Sequence, residues 1–140
     1  MEDKIVQRAV AEQGTLTLAY PPTQTWGSMS ITFGQPVPPG KRPSIDLSGY
    51  GSLVLDMRLA PGRSTQPGCI RLGIKDSTQP DNGSETTVQE CLNSSAWSTI
   101  KVPLTKFDRA DLTRLYVVFE VVFSKVIGPI QLSNIRYSPS

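Results

Sequence analysis

Four carboxylates lie close together in the chain, Asp76, Asp81, Glu85 and Glu90. Paired acids of this kind hydrolyse glycosidic bonds when held roughly 5 to 10 Å apart on either side of a sugar. Here they surround a loop that ends in Asn82-Gly83, a pair suited to positive φ, where acids are ordinarily solvated. Nothing nearby predicts the apolar burial that raises the pKa of a general acid. The 140 residues contain no histidine, which removes Ser-His-Asp and Cys-His catalysis, histidine-ligated metals and histidine pH switching. A non-enzymatic role is therefore expected.

Binding is better supplied. A pyranose is held by a flat aromatic face that packs on its C–H surface and by polar groups that fix the directions of its hydroxyls. Trp26 stands in a polar turn beside Gly27, and Tyr20 ends the run before Pro21-Pro22. Arg71, Lys75, Asp76, Glu85 and Gln89 supply donors and acceptors on one strand and around the loop that follows it. Two readings stay open for each group. Trp26 is either a sugar platform or a lid folded over the prolines, and the polar set is either a groove lining or a solvated face with cross-strand pairs. Trp97 is read as structural. Cys69 and Cys91 open one predicted strand and close the next, positions that approach each other in a hairpin. They form a disulfide in a secreted protein and stay thiols in the cytosol.

The elements that must position these residues follow from a period of two. Leu16, Leu18 and Tyr20 alternate with Thr15, Thr17 and Ala19; Met29, Ile31 and Phe33 alternate with serines and Thr32. Leu53, Leu55, Met57 and Leu59 form a third such set, and Ile70, Leu72 and Ile74 a fourth whose outward members are Cys69, Arg71, Gly73 and Lys75. Strands are also predicted over 86–92, 97–104 and 130–137, with a helical turn over 108–112. The almost unbroken apolar run 115–123 indicates a strand buried on both faces. Prolines and glycines fall mainly between these eight segments, which predicts an all-β fold, a two-sheet antiparallel β-sandwich of the jelly-roll kind. One domain is expected over 14–140, preceded by a lead-in segment over 1–13. The formal charge of +2 predicts neither a nucleic-acid nor a membrane partner.

Three stretches carry a resemblance: Asp46-Leu-Ser-Gly-Tyr50 followed by Leu53-Val-Leu-Asp-Met57; Trp97-Ser-Thr-Ile-Lys-Val-Pro-Leu-Thr-Lys-Phe107 followed by Asp111-Leu112; and Ile130-Gln-Leu-Ser-Asn-Ile-Arg-Tyr137. In this order the chain resembles the galactose-binding-domain-like β-sandwich. The likeness is to carbohydrate-binding modules of bacterial glycoside hydrolases and to the related intermediate-associated proteins of respiratory complex assembly. The resemblance implies a non-catalytic module that holds a polysaccharide or oligosaccharide in a shallow groove. It also implies a linked glycoside hydrolase domain and an extracellular or periplasmic location within a secreted protein, although the N-terminus here lacks the order of a signal peptide. Trp97 and Phe107 are expected to anchor one segment to the core. Such modules often hold a structural calcium between acids of the first and last strands, but Thr15, Thr17 and Ser133 stand there, leaving Asp46 and Asp56 as weak substitutes. No other cofactor is expected. The alternative on the same fold is a protein–protein or structural module, marked by a broad apolar patch.

Overall fold

The computed structural model describes residues 2–6, 14–19, 27–38, 40–62, 66–80, 84–123 and 127–139. Nine strands are present among them: β1 Lys4–Ile5, β2 Thr15–Leu18, β3 Gly27–Thr32, β4 Ser52–Leu59, β5 Gly68–Asp76, β6 Thr87–Leu92, β7 Ser98–Pro103, β8 Leu115–Phe123 and β9 Ile130–Ser138. They form two antiparallel sheets. Sheet A has the order β1-β9-β4-β7, with β2 also pairing β9; sheet B has the order β3-β8-β5-β6. The two-sheet sandwich is thus the one that the alternation of the sequence implies.

Alternation sorts each strand into a core row and an outer row. Leu53, Leu55, Met57 and Leu59 of β4 meet Ile70, Leu72 and Ile74 of β5 and Phe119, Val121 and Phe123 of β8 in one buried cluster. Each fully buried side chain of this size stabilises the fold by roughly 1.5–3 kcal/mol relative to exposure. Tyr137 lies wholly inside, and its hydroxyl donates to the Val118 carbonyl at 2.8 Å. Burial pushes that phenol far above its ordinary pKa, so it stays a neutral donor. Asn134 takes φ 55°, and the pairing of β9 with β4 shifts register there. A bulge residue in the left-handed region favours asparagine, which accounts for the Asn-Ile pair in the last strand.

Three local expectations change. The lead-in segment contributes a strand, because β2 covers only part of the β9 edge. Lys4 and Ile5 pair with Tyr137 and Arg136, Val6 N donates to Ile135 O, and Arg136 bonds Asp3 at 3.2 Å. The helical turn expected over 108–112 is replaced by two 3-10 turns, Leu104–Lys106 and Leu112–Arg114, the second capped by Asp111, which accepts from Thr113 N. Phe107 is buried as an anchor, but Trp97 is 42% exposed. The pairing Met57↔Ser98 places Trp97 one step further along, level with Arg58, and so on the outward row with Thr99 and Lys101. Its ring lies under the Arg58 guanidinium, 4.6 Å from the centroid.

Cys69 and Cys91 face each other in register across β5 and β6 and are joined by a disulfide. At a sequence separation of 22, the link destabilises the unfolded chain by roughly 3 kcal/mol on the loop-entropy estimate.

Candidate functional site

The outer face of sheet B carries polar rows that cross four strands. Ser30 of β3 pairs with Glu120 of β8, Glu120 with Gly73 of β5, and Gly73 with Thr87 of β6. The neighbouring row runs Ser28, Val122, Arg71 and Gln89. Arg71 lies across β6: its Nε donates to Thr87 Oγ1 at 2.5 Å, Nη2 to Thr87 O at 3.0 Å, and Nη1 to Gln89 Oε1 at 3.5 Å. A guanidinium tied at three points cannot swing, so its remaining donor edge is fixed in direction.

Glu120 is the unusual member. It is 7% exposed in the middle of the apolar strand β8, with only a 3.5 Å contact from Ser30 Oγ to its Oε2. Burial first, and then the hydrogen bond and charge of Glu85, push its pKa up to about 7, against the opposing pull of Lys75 and Ser30. The Oε1 atoms of both Glu85 and Glu120 are buried without a partner. Gly73 makes room for this arrangement. A Cβ there would stand 3.1 Å from Thr87 Cγ2 and 3.3 Å from Glu120 Oε1.

Of the residues singled out from sequence, Arg71, Gln89, Glu85 and Lys75 come together on or just beneath this face, Lys75 being 4% exposed. Asp76 is not brought to it. Both carboxylate oxygens of Asp76 brace the following turn: Oδ1 accepts from Thr78 N, Thr78 Oγ1 and Gln79 N, and Oδ2 accepts from Asp111 N at 2.9 Å. Although burial raises its pKa, these donors outweigh it and hold the carboxyl below its ordinary value. Trp26, Tyr20 and Asp81 lie outside the described residues. Glu90 falls on the opposite parity, paired with Ile70, where burial raises its pKa. Glu120 is the site residue that sequence reading missed; its signal was a lone acid inside an otherwise apolar run.

At the Tyr116 end of β8, Arg42 stacks on the Tyr116 ring, 4.6 Å from its centroid, and its Nε donates to Val37 O while Nη1 reaches Gln79 O. The Tyr116 hydroxyl in turn accepts from Val37 N and donates to Gln35 O. Tyr50 packs edge-on against Tyr137. Tyr116 and Tyr137 are buried, and the exposed aromatics among the described residues are Phe33 and Trp97.

The residues do not fit a hard cation at the positions the fold suggests. Thr15 pairs with Ser133, whose hydroxyl donates to the Gly14 carbonyl that a cation would need as a ligand. Asp46 accepts from Ser48 N and Ser48 Oγ, the hydroxyl first, which keeps its pKa low. Asp56 accepts from Thr99 Oγ1 on β7. Among the described residues no three acidic or cysteine side chains gather in one place.

No family model and no curated protein matches the chain. Solved structures to which the chain is similar include carbohydrate-binding modules. A family 11 module from Clostridium thermocellum, in complex with a β-1,3-1,4-mixed-linked tetrasaccharide, is 13% identical, with a TM-score of 0.60 over 99% of this chain and 96% of that one. A family 30 module of a cellulosomal cellulase of the same organism is 21% identical, with a TM-score of 0.60 over 95% and 80%. A family 28 module specific for non-crystalline cellulose is 14% identical, with a TM-score of 0.54 over 90% and 75%. The chain therefore shares the two-sheet β-sandwich fold of these carbohydrate-binding modules. At these identities the likeness is one of fold.

Proposed function

We propose that this chain is a non-catalytic carbohydrate-binding module that holds a β-linked glucan chain, as a polysaccharide or oligosaccharide, across the outer face of sheet B. The observation that carries the reading is the buried Glu120 carboxyl, in contact with Glu85 and lying beside the immobilised Arg71 in the polar rows of sheet B. A buried acceptor without a donor is costly, and sugar hydroxyls supply donors to acids and acceptors to a guanidinium. Thr87 extends the Glu120 row and Gln89 the Arg71 row. Trp26, which precedes β3 directly in the chain, is the proposed aromatic platform, with Tyr20 six residues before it as a second candidate.

Catalysis fits poorly, since two carboxyls in hydrogen-bond contact leave no room for a glycosidic bond between them. Binding of this kind uses no cofactor. The natural partner is a covalently linked glycoside hydrolase domain whose local substrate concentration the module raises. The Cys69–Cys91 disulfide supports an extracellular or periplasmic setting. No helix of the described residues is long and apolar enough to cross a membrane.

Affinity electrophoresis against soluble β-glucan, xylan and mannan tests the proposal. Retardation in β-glucan is expected, and Arg71→Ala and Trp26→Ala should each weaken it at least tenfold with circular dichroism unchanged. Absence of retardation in every polymer would overturn the proposal.

A further inference from the structure

The outer face of sheet A carries a second constellation, separate from the one on sheet B. Trp97 is exposed, with the Arg58 guanidinium stacked over its ring. Arg58 is held in turn by Gln131, whose Oε1 accepts from Nε at 2.8 Å, and Gln131 Nε2 donates to Thr17 Oγ1 at 3.3 Å. These four side chains follow one register line from the residue before β7 across β4, β9 and β2, since Arg58 pairs with Gln131 and Gln131 with Thr17. With strands about 4.8 Å apart, the row is about 14 Å long.

The positive charge of the row is carried by Arg58, which makes no direct ion pair among the described residues. Its other contact is a 3.5 Å approach of Nη1 to Ser95 O. Asp56, the nearest acid along β4, is engaged by Thr99. An exposed indole with a guanidinium stacked on one of its faces, followed by amide and hydroxyl groups, matches a sugar ring that bears a carboxylate. The ring's C–H surface packs on Trp97, and its carboxylate takes the open N–H groups of Arg58.

We infer that the Trp97–Arg58–Gln131–Thr17 row is a second binding site, for uronic-acid residues of an acidic polysaccharide. It does not depend on the sheet B reading, and the probes differ: an acidic polymer here, a neutral glucan there.

The test is isothermal titration of the full chain with oligogalacturonate of about six residues, and with the same oligomer after carboxyl reduction. Wild type should bind the acidic form, lose most of that affinity after reduction, and weaken as salt rises. Trp97→Ala and Arg58→Gln should each lower the affinity about tenfold or more, with retardation in neutral β-glucan unchanged. Lys106→Ala, which removes an exposed charge elsewhere, should have less than a twofold effect. Three results would overturn the inference: no binding of the acidic oligomer, equal affinity for the reduced oligomer, or equal losses in Lys106→Ala and Arg58→Gln. Because Trp97 is exposed and at a strand end, its replacement spares the core; if it nevertheless unfolds the chain, Arg58→Gln decides.

Discussion

Asp76→Ala should destabilise the fold by about 3 kcal/mol, because the carboxylate accepts from three backbone N–H groups and one hydroxyl. The side chain ties three segments together. It closes the turn after β5 through Thr78 and Gln79, and it pins the approach to β8 through Asp111 N, beside the bond from Ser77 N to Arg114 O. Asp76→Asn keeps one acceptor oxygen but turns an amide against a donor, so it should lose roughly half as much. Urea unfolding at pH 7 measures both. A loss below about 1 kcal/mol for the alanine variant would show that solvent replaces these bonds. The pH dependence has a definite sign. With the folded pKa below the ordinary 3.8, the stabilisation is complete above that value and is lost as pH falls through the folded pKa. Asp76→Asn should therefore unfold less steeply in acid than the wild type.

Glu120→Gln has the opposite effect and should stabilise the fold under alkaline conditions. The folded carboxyl, at about 7, lies above its ordinary 4.5, so the folded state holds its proton more tightly than the unfolded state does. Its stability contribution is fully present below pH 4.5 and is lost as pH rises through 7. One pKa unit corresponds to about 1.4 kcal/mol, and after discounting for partial solvent screening the penalty at pH 8 is about 2 kcal/mol. The neutral amide escapes it. Glu120→Gln should thus raise the urea midpoint at pH 8 and leave it near wild type at pH 4.5. A parallel pH profile for the two proteins would mean that Glu120 is not held in its protonated form by burial and Glu85.

Such a penalty at a residue in the centre of a sheet is what a binding face tolerates and a purely structural face does not. The same residue shows where sequence reading stops. In β5, alternation separated Ile70, Leu72 and Ile74 from Arg71 and Lys75, and the register with β6 then placed Gln89 beside Arg71. In β8 the run from Leu115 to Phe123 has apolar residues on both parities, so the periodicity that would mark Glu120 as outward-facing is masked. Asp76 looked like Lys75's neighbour on a binding loop, yet its role depends on Asp111, 35 residues away, which no local pattern reveals. Trp97 was legible in principle: Trp97, Thr99 and Lys101 alternate with Ser98, Ile100 and Val102, which assigns the indole to the solvent row. The strand at Lys4–Ile5 was not, because two residues carry no period and pair only through the uncovered edge of β9.

The central claim is that a glucan chain lies on the outer face of sheet B, and NMR titration of the labelled protein with a mixed-linkage β-glucan tetrasaccharide tests it most directly. The account predicts amide shifts concentrated at Ser30, Arg71, Gly73, Thr87, Gln89 and Glu120, saturating together. Shifts clustered instead at Thr17, Asp56, Arg58 and Gln131, or no shifts at millimolar sugar, would contradict it.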